Sequence, residues 1–274
     1  MFSRRRLLCA SALTLLPGLP IRGFAAPAAD AEKAPWSETA IEAAEPVVEP
    51  LASHPFVEAV AEGDLSEEAF AWYLSQQLVR LEFAKGSIKI LKRRFMVERH
   101  KALCDAWLEE NENAVSWTKD LLQLTAAEIQ PQKKPAPGTF PRLRFESAFD
   151  DIKAAPAVKR QMRFERDAVN RDHIAVAVAS VASGCWVTHV LSEHVSRHHT
   201  LQGNTYDAWV EAMTSDEAGR RAATLLTLAD ELSTGEIQQV LSGMTAHFVR
   251  GCRGEADILS AAMRADVRAD VRAS

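Results

Sequence analysis

Cys185, His189 and Glu193 stand at intervals of four residues, so on a helix they fall roughly on one face. A thiol, an imidazole and a carboxylate placed that way supply the types needed for nucleophilic attack with proton transfer. The same residues also fit a plainer arrangement. Free cysteine is among the most buried residue types, and His189 with Glu193 makes an i, i+4 pair suited to a partly exposed helix end. Glu255 follows Cys252 by three residues and continues a stripe that is otherwise apolar. A carboxylate there must be paired or have its pKa raised by desolvation, and either state suits an acid/base group. Gln77 holds the stripe position between Tyr73 and Leu81, with Arg80 one turn on. A polar side chain buried without a partner costs about 1 to 3 kcal/mol, so each of these places must meet a partner or line a cavity.

Helices must position these groups. Ser66-Glu67-Glu68 opens one in which Phe70, Tyr73, Leu74, Leu81, Ile88 and Leu91 recur at helical spacing to about Arg94. Others are expected from Ala102 to about Glu128, Arg144 to Lys153, Ala157 to Asp167, Arg171 to about His198, and Asp207 to Met213. Ser215-Asp216-Glu217 starts another that ends near Ser233 to Gly235. A final helix from Glu236 places Ile237, Leu241, Met244, Phe248, Cys252, Leu259 and Ala262 on one stripe. The run from Gln130 to Gly138, with three prolines, reads as loop. No segment alternates with period two between hairpin turns, which leaves β structure without support. The expected fold class is all-α, a bundle of about eight or nine helices around one core.

The N-terminus reads as an export signal. Arg4, Arg5 and Arg6 precede an apolar stretch from Leu7 to Leu16 and the small-residue run Phe24-Ala25-Ala26. Ser3-Arg4-Arg5-Arg6-Leu7-Leu8 resembles the twin-arginine motif, and an Arg-rich general secretory signal is the alternative. The apolar run, broken by Pro17 and Pro20, is too short for a membrane span. The expected organisation is a signal peptide over 1–25, a flexible lead-in over 26–35, a helical domain over 36–264 and a tail over 265–274. A periplasmic or secreted location follows. Cleavage after Ala25 removes four arginines and no acid, leaving 28 basic against 37 acidic side chains, a net charge of −9 with neutral histidine. That balance argues against nucleic acid or an anionic membrane as partner. The mature cysteines are Cys104, Cys185 and Cys252, an odd number, so any single disulfide leaves one thiol over.

The landmarks resemble the TenA or thiaminase II family, whose helical fold is shared with haem oxygenase and PqqC. His54-Pro55-Phe56-Val57, then Gly63-Asp64-Leu65, Phe70, Tyr73-Leu74 and Gln76, are similar to that family's H-P-F-V, G-x-L and F-x-x-Y-L-x-Q-D run. Cys185-Trp186 ahead of His189 resembles its P-C-x-W-x-Y region; Asn204 with Tyr206 and Trp209, and Phe248 with Glu255, complete the likeness over about residues 36 to 262. The resemblance implies a TenA-type, haem-oxygenase-like bundle and a hydrolase needing no cofactor or metal. Cys185 would attack a carbon of a small heterocycle such as thiamine or an aminopyrimidine. Glu255 would move the proton, and water would complete cleavage of a C–N bond. A homo-oligomer is compatible with it.

The departures lie in the substrate clamp. Gln77 stands for the family's aspartate, Arg80 and His189 for tyrosines, Met213 for another, and Ile258 for a phenylalanine, while an upstream tyrosine falls near Met162. Those five positions, Gln77, Arg80, His189, Met213 and Ile258, are the expected substrate-binding residues of a changed pocket. Two other readings stay open. One is a di-metal oxidase drawing on His189, Glu193, His194, His198 and His199, with Glu82 or Glu255 as carboxylate donors. The other is an exported ligand-binding protein that has kept the fold and lost catalysis.

Overall fold

The computed structural model describes residues 34–129, 152–198 and 206–273, with side-chain surroundings described through residue 265 and not for 124–129 or 216–218. Residues 1–33, where a signal peptide is expected, the run from 130 to 151, Asn204 and His199 lie outside the described residues. Within them the chain forms α1 (Trp36–Val48), α2 (Pro55–Glu62), α3 (Glu67–Arg94), α4 (Glu98–Ile129), α5 (Pro156–Arg171), α6 (Ile174–His198), α7 (Asp207–Met213), α8 (Asp216–Ser233) and α9 (Gln238–Ala273). No strand occurs among the described residues.

Local chemistry sets the helix boundaries. Ser66 caps α3 by accepting a hydrogen bond from the Ala69 amide at 3.1 Å; Glu67 and Glu68 occupy the first turn and Lys92, Arg93 and Arg94 the last, the charge order a helix dipole favours. Arg94 then donates to the Val169 carbonyl at 2.6 Å and to the Asp172 carbonyl, tying the end of α3 to the end of α5. Gly63 closes α2 at a φ of 82°, a left-handed conformation that a side chain would strain. The expected helix over 144–153 lies mostly outside the described residues, and Ile152 and Lys153 are not helical. The one over 157–167 runs from Pro156 to Arg171. Ile237, expected on the core stripe of the last helix, instead precedes it and is 65% exposed: α9 begins at Gln238. The rest of that stripe, from Met244 through Phe248 and Cys252 to Leu259 and Ala262, is buried, with Leu241 half-buried.

α6 is the central helix. It touches α2, α3, α5, α7, α8 and α9, so Ala175 through Ala179 and Ala182 are all buried. Its length and apolarity would also suit a membrane span. A core helix surrounded on every side needs the same composition. Small residues let α9 approach it closely: a Cβ on Gly251 would lie 1.9 Å from Ser183 Oγ.

The H-P-F-V motif builds a joint. His54 Nδ1 accepts the Phe56 amide hydrogen bond at 3.1 Å and caps α2, while Nε2 lies 3.1 Å from Ser260 Oγ on α9. Burial holds the His54 pKa below its ordinary value, against the opposing charge of Glu58. A lowered folded-state pKa means that the neutral ring stabilises above the unfolded value of about 6.5, and that this contribution is lost as pH falls through the lowered one. We expect His54→Ala to cost about 1 kcal/mol at pH 8. In paired urea titrations at pH 8 and pH 5 the gap between wild type and variant should narrow at the lower pH; an unchanged gap would remove the cap from this account.

Candidate active site

Four helices bring the ionisable groups together. Arg80 on α3 meets Glu255 on α9 in a two-pronged ion pair, Nη1 to Oε2 at 2.8 Å and Nη2 to Oε1 at 2.5 Å. The side chains are only 17% and 9% exposed, so Glu255 is a paired buried carboxylate. Gly184 on α6 leaves room for the pair, since a Cβ there would come within 3.1 Å of Glu255 Oε1. Burial alone would lower the Arg80 pKa, but the charges of Glu255 and Glu165 outweigh it and the guanidinium is held more firmly charged than usual.

Cys185, one residue beyond Gly184, is half-buried. Burial pushes its thiol up to about 11; Arg221 pulls it down, Glu255 and Glu165 push it further up, and Arg80 opposes them. The resting group at neutral pH is therefore the thiol, and attack requires a base. Cys104 and Cys252 are also free, with burial raising them to about 11 and about 12.

Glu165 on α5 is the group that the sequence reading missed. Desolvation raises its carboxyl to about 7; Arg80 opposes the rise, Glu255 adds to it, and a hydrogen bond from Gln161 lowers it. Gln161 Nε2 donates to Glu165 Oε1 at 2.9 Å. Gln161 is itself 3% exposed and sits where Gly254 has no side chain: a Cβ there would lie 1.9 Å from Gln161 Oε1. The clue was present in the sequence, because Gln161, Glu165 and Ala168 share a stripe with Ala157 and Phe164. It was masked by Arg160, Arg163, Arg166 and Asp167, which make Glu165 look like one charge of a solvated helix.

Beside this cluster lies a cavity of about 40 Å³, lined by Phe56, Tyr73, Leu191, Trp209, Met213 and Ile258 among other apolar groups, with Thr188, Ser192, Thr214 and Glu255 as polar lining. Since a water needs roughly 10 to 15 Å³ by this measure, the space holds a few waters. Tyr73 packs on Phe56 and Trp209, with ring centres 4.7 and 5.8 Å away. Its hydroxyl is pushed up to about 12, first by burial, then lowered by Arg80, raised by Glu255 and lowered by a hydrogen bond with Gln77.

The proposed binding positions therefore separate. Met213 and Ile258 line the cavity, Arg80 holds Glu255, and Gln77 reaches the Tyr73 hydroxyl. His189 does not line the cavity; it lies 3.6 Å from exposed Glu193, which also takes a 2.8 Å bond from Arg197, the plainer helix-end arrangement. Gln76 does structural work, donating to the Lys153 carbonyl at 3.3 Å and accepting from the Ala155 amide at 2.7 Å just before α5. Among the described residues no group of three His, Cys, Asp or Glu side chains is placed to hold a metal ion. Glu82, one suggested donor, instead faces Lys85 at 2.9 Å and Lys119 at 3.7 Å.

This bundle, with a last-helix glutamate lining an aromatic-walled cavity that Cys185 itself does not line, has a fold of the TenA type. Residues 146–265 match the TENA/THI-4/PQQC family, and the fold is that of solved TenA-type structures. No curated protein matches the sequence. A TenA homologue from P. horikoshii OT3 superposes with a TM-score of 0.67 at 14% identity, covering 84% of this chain and 99% of its own. A TenA homologue from Pseudomonas syringae pv. tomato gives 0.66 at 13%, covering 87% and 97%. A putative TenA-like thiaminase from Sulfolobus solfataricus gives 0.60 at 15%, covering 83% and 95%.

Proposed function

We propose that this is an exported TenA-like hydrolase in which Cys185 attacks a carbon of a small heterocycle and the neighbouring carboxyl groups carry the proton. The supporting observation is the convergence of Cys185, Arg80, Glu165 and Glu255 from four helices beside an apolar cavity that Glu255 itself lines. Tyr73 and Trp209 offer aromatic surface to a flat ring. Met213 and Ile258, both smaller than the aromatic groups the family likeness calls for there, line the cavity, which supports a C–N-bonded heterocycle held by a changed set of contacts. The leader's resemblance to a twin-arginine signal supports a periplasmic or secreted location.

The thiol's raised pKa also supports a second reading, a binding protein that has kept the cavity without turnover. One experiment separates them. The mature protein is incubated with thiamine and with its aminopyrimidine breakdown product, and hydroxymethylpyrimidine is followed by chromatography beside Cys185→Ala. Product that disappears in Cys185→Ala establishes the hydrolase; a ligand-dependent rise in melting temperature with no product selects the binding protein.

A further inference from the structure

We propose that the groove between α4 and α8 binds a small amphipathic monoanion, a carboxylate on an apolar body, at a place separate from the Cys185 cluster. Two ion pairs bridge these helices: Glu110 Oε2 meets Arg221 Nε at 2.8 Å, and Glu231 Oε2 meets Arg99 Nη2 at 2.7 Å. Arg99 and Glu110 stand eleven residues apart on α4, and Arg221 and Glu231 ten apart on α8, so the rise of a helix spaces the two pairs by about 15 Å. Between them lies a groove of about 440 Å³, a size suited to a small molecule and far larger than the space beside Glu255. Its α8 wall is one helical stripe, Arg220, Ala223, Thr224, Thr227, Leu228 and Glu231, at spacings of three and four residues, and Leu103 lines it from α4. Leu103, together with Met96 and Val97 just before α4, makes up three of the four large apolar side chains left exposed among the described residues. Apolar surface gathered in one place and rimmed by charge is the mark of a binding face.

The two ends of the groove differ in charge. At one end Glu231 takes both neighbours, Arg99 at 2.7 Å and His100, whose Nε2 lies 3.1 Å from Oε2. The His100 hydrogen bond first, and Arg99 after it, hold that carboxyl below the usual carboxylate range against the smaller opposing effect of burial, so it stays ionised at neutral pH. At the other end Arg220 is exposed and has no ion-pair partner among the described residues, Glu110 being taken by Arg221. One anionic group therefore belongs at Arg220, with its apolar body on Leu103, Ala223 and Leu228. Glu231 repels a second anion at the far end, which sets a monocarboxylate apart from a dicarboxylate.

Octanoate is the probe, titrated calorimetrically into the protein beside octanamide, which has the same body without the charge, and octanedioate, which adds a second carboxylate. Octanoate should bind at one saturable site. Octanamide should bind about fivefold more weakly, the upper range for an exposed ion pair, and octanedioate should also fall below octanoate. Arg220→Ala should erase the difference between octanoate and octanamide, Arg220→Lys should keep part of it, and Leu103→Ser should weaken both ligands alike. Both positions are exposed, so these changes leave the fold intact. Arg163→Ala, at an exposed arginine on α5, is the control that should change nothing. Equal affinity for octanoate and octanamide, octanedioate matching octanoate, wild-type octanoate binding in Arg220→Ala, or no saturable binding would each overturn the assignment. Absent binding together with a smaller oligomer for Arg220→Ala in analytical ultracentrifugation would give the face to a contact between two copies of the chain instead.

Discussion

Arg80→Leu should lose about 3 to 5 kcal/mol of stability, because it strands a carboxylate that is 7% exposed among apolar neighbours. Glu255→Leu alone should cost less, because the guanidinium keeps the charge of Glu165 nearby. The double variant Arg80→Leu/Glu255→Leu removes both charges together and should recover most of the loss, as replacing a whole buried pair is often close to neutral. The pH dependence has a definite sign. A buried carboxyl without a partner favours its neutral form, so the folded Arg80→Leu protein binds a proton more readily than its unfolded chain. Its stability deficit should therefore shrink as pH falls from 8 to 5.5. Urea denaturation of the four proteins at both pH values measures this. Independent, additive losses in the double variant would mean that the pair is weaker than its geometry indicates.

That ion pair also marks how far the sequence could be read. Helix existence was legible because burial writes a repeat of three to four residues into the chain: the stripe from Phe70 to Leu91 and the stripe from Met244 to Ala262 both pack as their spacing predicts. Ile237 failed because apolarity alone does not show that a residue precedes the helix start. Glu255 was legible as a carboxylate on a core face, but its partner was not. Arg80 lies 175 residues away, and no local pattern encodes a contact between α3 and α9. His189 and Glu193 lay on the helix face with Cys185, yet His189 pairs with Glu193, whose side chain is 49% exposed, and does not line the cavity. Glu165 was hidden by charge density, since only the packing of α5 against α3, α6 and α9 turns its half-buried carboxylate towards the charges of Arg80 and Glu255 while Arg160, Arg163 and Arg166 stay exposed.

The close approach of α9 to its neighbours gives two glycine substitutions that should separate stability from the titration of Glu165. At Gly251 an added Cβ meets Ser183 Oγ at 1.9 Å, Ser183 Cβ at 2.7 Å and the Ser180 carbonyl oxygen at 3.3 Å. Ser183 is fully buried and its hydroxyl already donates to Ser180 at 2.7 Å, so rotating the hydroxyl away cannot clear the site. The two central helices must move apart. Gly251→Ala should therefore lose about 3 kcal/mol, the upper range for overpacking, despite the roughly 1 kcal/mol that alanine gains over glycine in a helix. Adding Ser183→Ala should restore only part, because the Cβ contact at 2.7 Å remains. At Gly254 the obstacle is the end of the Gln161 side chain, 1.9 Å away, which can swing aside. Gly254→Ala should be far milder in denaturant but should detach Gln161 from Glu165. That hydrogen bond lowers the Glu165 pKa, so its loss should move the titration of that carboxyl to higher pH. Denaturation midpoints of the two proteins, with the Glu165 carboxyl titration followed by NMR in wild type and Gly254→Ala, decide the matter. A destabilised Gly254→Ala with an unmoved Glu165 titration would show that Gln161 serves packing alone, whereas a stable Gly251→Ala would mean that α6 and α9 are less tightly joined than their glycines imply.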